Sequence, residues 1–128
     1  MTVPVREDLD TALSIQDAAV KALRPGTNGA DLFVLANNMA ADAGLGDRFM
    51  GAPGEQAKFV GHGVGLELDE MPVLAKGGNM TLQCNQNIAV EPKFVFTGIG
   101  VVGIENTSVV SPAGGERLTT LPDDLTCL

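Results

Sequence analysis

The chain has 128 residues, 45% hydrophobic and 19% charged, with a formal net charge of −8. This length supports a single domain, residues 1–128, with a core of its own, and the composition is that expected of an ordinary soluble globular domain. The acidic surplus argues against nucleic acid and anionic membrane as partners, because both call for clustered Lys and Arg, and it favours cations instead.

The first residues, Met1–Asp8, contain no apolar signal region. No uninterrupted apolar run approaches the roughly 18 residues of a membrane span. Leu9, Ala12, Leu13, Ile15, Val20 and Leu23 recur at helical spacing, which predicts a helix over 8–23 that Arg24-Pro25-Gly26 stops. Thr27 or Asn28 can cap a second helix, with Leu32, Phe33, Leu35, Ala36 and Met39 on its apolar face and Gly44 at its end. Residues 45–58 read as an irregular, Gly-rich connection. Beyond them the period becomes strand-like, over 59–60, 64–68, 88–91, 94–97, 101–110 and 117–119, with a hairpin turn at Pro112-Ala113-Gly114-Gly115. Helices first and strands after predict an α+β fold, two N-terminal helices packed on one face of a mostly antiparallel sheet. Cys84 and Cys127 lack any Cys-x-x-Cys spacing, so reduced, structural thiols and a cytoplasmic location are expected.

Three residues stand out chemically. His62, the single histidine, lies in Gly61-His62-Gly63-Val64-Gly65. Glu91 in Ile88-Ala89-Val90-Glu91-Pro92 and Glu105 in Val102-Gly103-Ile104-Glu105-Asn106 are carboxylates in apolar, strand-like sequence. A buried carboxylate is costly unless it is paired, hydrogen-bonded or bound to a cation. One imidazole and two carboxylates suit Mn, Zn, Co or Fe(II) better than a thiolate-seeking ion. The same residues are also compatible with solvent-facing glutamates on half-exposed strands, whose side chains alternate faces, and with a turn histidine between glycines. The alternating glycines lack the spacing of a phosphate loop and no helix follows them, so they read instead as room for a close approach beside His62.

Three blocks in order resemble the C-terminal half of the pita-bread metallopeptidases, the superfamily of prolidase, Xaa-Pro aminopeptidase, methionine aminopeptidase and creatinase. They are Gly61-His62-Gly63-Val64-Gly65-Leu66-Glu67 through Glu70-Met71-Pro72, then Val90-Glu91-Pro92, then Gly103-Ile104-Glu105-Asn106-Thr107. The resemblance implies a curved sheet and a two-metal centre in which His62, Glu91 and Glu105 are three of five protein ligands, with Glu91 also a proton shuttle. The family's other two ligands are aspartates on an upstream hairpin. Asp8, Asp10, Asp17, Asp31, Asp42 and Asp47 fall in helical or loop sequence without the Asp-x-Gly setting, so that half of the site is expected to be missing. Asp69 occupies the position of a second histidine that peptidase members usually carry, and Lys93-Phe94 stands where Gly-Ile is common.

Two functions follow as expectations. One is a partial Xaa-Pro-type peptidase, inactive alone, whose partners are a peptide substrate and either a missing N-terminal half or a second copy in a homodimer. The other is a non-catalytic module that binds a peptide or a protein partner on the same fold. With an incomplete ligand set, the divalent metal would be weakly held or absent.

Overall fold

The computed structural model describes residues 5–64, 70–77, 80–96, 98 and 100–119. The first helix, α1 (Val5–Lys21), buries Leu9, Ala12, Ile15 and Ala19 at three- and four-residue spacing, the stripe of one helix face. The second, α2 (Gly29–Asp42), starts at Asn28, whose side-chain oxygen accepts a hydrogen bond from the Ala30 N–H at 2.8 Å. Gly29, Leu32, Phe33, Ala36 and Ala40 are its buried residues, whereas Leu35, expected on the same face, is 37% exposed. The connection after α2 is irregular as expected, apart from a short 3-10 turn at Gly46–Arg48.

Among the described residues seven strands follow: β1 (Phe59–Gly63), β2 (Glu70–Ala75), β3 (Asn87–Val90), β4 (Lys93–Phe96), β5 (Gly100–Gly103), β6 (Asn106–Val109) and β7 (Glu116–Arg117). Five of them form a sheet in the order β2-β1-β3-β6-β7, and β4 and β5 form a separate hairpin. Every pairing is antiparallel, so the α+β architecture holds.

Two strand assignments change, and a third, the expected strand over 64–68, lies outside the described residues except for Val64, which is in no strand after β1 ends at Gly63. β2 was not expected, because Pro72 breaks a strand pattern; it is tolerated because β2 is the sheet's edge, where one side of the backbone needs no ladder partner. The expected strand over 101–110 is two strands, divided at Ile104-Glu105.

The core lies between the helices and the sheet, where Ile15, Leu23, Leu32, Leu74, Ile88 and Val90 are buried. Phe33, Phe49 and Phe94 make a chain of ring contacts, with centroids 6.5 Å and then 5.7 Å apart. The Met50 N–H donates to the Lys93 carbonyl at 2.9 Å. Together these contacts tie α2 to the hairpin that begins two residues after Glu91. Cys84, expected to be a structural thiol, is exposed, and Cys127 lies outside the described residues.

Candidate metal centre

The site is built at the ends of three neighbouring strands. His62 on β1 stands opposite Ala89 on β3, and Val90 stands opposite Asn106 on β6. Opposed residues share a face and successive ones alternate, so His62, Ala89 and Glu91 project to one side while Ile88 and Val90 project into the core. The Glu91 N–H donates to the Val60 carbonyl at 2.9 Å, which holds Glu91 in register one residue past the end of β3. Pro92 has no N–H with which to continue the ladder, and its carbonyl accepts the Ile104 N–H at 3.2 Å, drawing the Glu105 turn alongside Glu91.

Glu105 is further fixed by the residue after it. The buried Asn106 carboxamide donates to Gln16 Oε1 on α1 at 3.0 Å, and its oxygen accepts from Arg117 Nη2 at 3.0 Å and from the Thr119 hydroxyl. This clamp of α1, β6 and the segment around β7 escaped sequence reasoning, because its partners lie far apart in the chain and an Asn beside a Glu is no signal by itself.

His62 Nε2 and Glu91 Oε2 are 3.7 Å apart. One ligand atom each from His62, Glu91 and Glu105 lies within 4.8 Å of the others. His62 is 7% exposed, Glu91 is half-buried and Glu105 is exposed. His62 Nδ1 is 2.9 Å from the Gly63 carbonyl oxygen. A carbonyl only accepts, so Nδ1 carries the hydrogen in this contact, and the lone pair of the neutral ring sits on Nε2, on the side of Glu91. Burial is the main cause that raises Glu91 from an ordinary 4.5 up to about 7; a hydrogen bond with Glu105 and repulsion from it add to this, while Lys93 and His62 oppose it. Two carboxylates held together in this way are stabilised by a shared proton or by a cation. A neutral imidazole nitrogen and two carboxylate oxygens, already converged, fit a divalent metal with mixed nitrogen and oxygen preference.

The three residues singled out in the sequence are thus brought together. Among the described residues no aspartate joins them. Asp8, Asp10 and Asp17 lie on α1, Asp31 and Asp42 on α2, and Asp47 in the 3-10 turn. Asp69 is outside the described residues. Lys93, noted in the sequence only as a departure from the family pattern, lines a hollow with Glu91, Val101, Gly103, Ile104 and Glu105.

The profile of metallopeptidase family M24 matches residues 2–112. The chain belongs to this family. Among curated relatives, the Xaa-Pro dipeptidase of Pyrococcus furiosus is 32% identical over 120 residues, covering 94% of this chain and 32% of the relative. The X-Pro aminopeptidase structure from Thermotoga maritima superposes with a TM-score of 0.85 at 30% identity, covering 96% of this chain and 33% of that one. The Xaa-Pro dipeptidase structure from Bacillus anthracis gives a TM-score of 0.85 at 30% identity, covering 99% and 34%. The M24 chain therefore has the pita-bread architecture over nearly its whole length and spans about a third of the relatives it matches.

Proposed function

We propose that this M24 chain carries the histidine and glutamate ligands of a divalent-metal centre that hydrolyses Xaa-Pro-type peptides, and that turnover needs aspartate ligands supplied by a further segment. The observation that carries this reading is the convergence of His62, Glu91 and Glu105 ligand atoms within 4.8 Å, on three strand ends, without a described aspartate among them.

Mn, Zn, Co and Fe(II) all suit the donor set. A bound divalent cation would polarise the scissile carbonyl and acidify water enough for attack at neutral pH. The chain's own contribution is placement and proton handling. The Gly63 carbonyl holds the His62 ring with Nε2 as acceptor. Glu105 supplies a carboxylate whose position the Asn106 clamp fixes. Glu91 supplies the second carboxylate, with Oε2 3.7 Å from His62 Nε2, and by the family resemblance it also shuttles a proton. In the resemblance, Asp69 stands at the sequence position of a second histidine.

The second reading, a peptide- or partner-binding module, is favoured by the absence of a described aspartate at the cluster. The experiment is an Xaa-Pro dipeptide hydrolysis assay with Mn²⁺, run on the chain alone and on the chain joined to the part of a relative that lies outside the matched third. Turnover only in the joined protein is the expected result. Turnover by the chain alone would overturn the need for a further segment, and none in either would favour the binding module.

A further inference from the structure

Glu105 is the exposed member of the candidate metal centre, so its placement depends on the residues on either side of it. Before it, the Ile104 N–H donates to the Pro92 carbonyl at 3.2 Å. After it stands Asn106, whose Nδ2 donates to Gln16 Oε1 on α1 at 3.0 Å, across 90 residues of chain. Asn106 is opposite Val90 on β3 and shares its face, so the carboxamide points to the helices while His62, Ala89 and Glu91 project from the other side of the sheet. Gln16 and Asn106 are 3% and 5% exposed, which shields both from bulk water, and a buried amide that loses its partner bears the cost of its desolvation. Arg117 and the Thr119 hydroxyl already occupy the Asn106 oxygen, so the Nδ2 end is the one that α1 holds. Ala12, Ile15 and Ala19, buried in the same core as Ile88 and Val90, seat α1 and with it Gln16.

We propose that Gln16 is a positioning residue of the metal centre: by holding the Asn106 carboxamide from the helix side of the sheet, it sets the backbone from which Glu105 reaches the cation, so that α1 governs metal affinity from the face opposite the ligands. The proposal rests on the metal-binding reading above. Gln16 lies on the helix side, so its effect on the ligands passes through Asn106 alone. When the Gln16 acceptor is lost, the Asn106 N–H is left buried without that partner, and the carboxamide turns or shifts to find another. Either movement displaces the adjoining Glu105, whose exposed side chain has little packing of its own to resist it. The coupling is reciprocal, and a cation that fixes Glu105 also secures Asn106 against α1.

The test is Mn²⁺ calorimetry at pH 8, with urea midpoints, on the wild type, Gln16→Met, Asn106→Leu, the double variant of both, and Ile15→Val. Gln16→Met keeps the length of the side chain and removes the acceptor, and it is expected to weaken Kd on the order of fivefold. Ile15→Val trims the buried residue beside Gln16 on the same helix; it should lower the urea midpoint as well but leave Kd at the wild-type value, a separation that a merely structural glutamine does not produce. The double variant should bind no more weakly than Asn106→Leu, because Gln16 acts through Asn106. The comparison of Gln16→Met with Ile15→Val decides the matter even where Asn106→Leu does not fold. Stoichiometric binding by the wild type with an unchanged Kd in Gln16→Met would overturn the proposal and leave the metal reading standing. Equal weakening by Gln16→Met and Ile15→Val would overturn it too, since lost stability would be the cause, and so would losses that add in the double variant. Absence of Mn²⁺ binding from the wild type would remove the metal reading and this proposal with it.

Discussion

Glu91 is where sequence, geometry and electrostatics meet. Its carboxyl is raised to about 7 in the fold, against an ordinary 4.5, by burial first and by Glu105 second. Between those values the native chain holds a proton that the unfolded chain has released, so this group's favourable contribution, full below about 4.5, is lost as pH rises towards 7. Metal-free protein should therefore show a decline in urea midpoint over that window which Glu91→Gln, neutral at every pH, lacks; parallel curves for the two proteins would contradict the account. Added Mn²⁺ should reverse the trend, since metal binds the ionised form. Glu91 was legible in the sequence because a charge in an apolar strand is conspicuous by its cost; His62 and Glu105, which is exposed between β5 and β6, were legible through the ordered blocks in which they stand. Lys93 and Asn106 were not, because a lysine two residues beyond a glutamate and an asparagine beside one acquire meaning only when β5, α1 and β7 are brought alongside them.

The elements explain why those ligands converge. β1 and β3 approach closely at Gly61: a Cβ there would strike the Ala89 carbonyl oxygen and lie 2.9 Å from Leu74 Cδ1. Gly61→Ala should cost about 1–3 kcal/mol through overpacking, and by parting β1 from β3 it should also weaken metal binding. Denaturant titration at wild-type stability would show that the strands are not so tightly apposed. Phe49, 1% exposed, joins α2 to the hairpin that carries Lys93. Phe49→Ala should cost about 3–5 kcal/mol, and a loss under about 1 kcal/mol in the same titration would mean the cavity collapses without strain. Both helices, the Asn28 cap and most strands were legible from periodicity and capping chemistry. β2 was hidden by Pro72, whose cost vanishes at a sheet edge, and the break at Ile104-Glu105 was hidden because a turn inside an apolar run leaves no compositional mark.

At the scale of the molecule, the fold class and the family resemblance were legible from three ordered blocks, and the M24 match over residues 2–112 bears them out. The described residues contain no helix long and apolar enough to cross a membrane. β2 and the two-residue β7 are the outer strands of the described five-stranded sheet, and Leu118, next to β7, is 51% exposed. Open strand edges beside apolar side chains invite pairing, so a homodimer is expected; light scattering at high micromolar concentration that gives the mass of a single 13.2 kDa chain would contradict it. His62, Glu91 and Glu105 converge within 4.8 Å, and the proposed metal centre stands or falls on whether they bind a divalent cation. The most direct test is calorimetric titration with Mn²⁺ and Zn²⁺ of the wild type against a His62→Ala, Glu105→Ala double variant that circular dichroism shows to be folded. Stoichiometric binding by the wild type that the variant loses is the predicted result, and no binding by the wild type, or equal binding by both, would contradict the account.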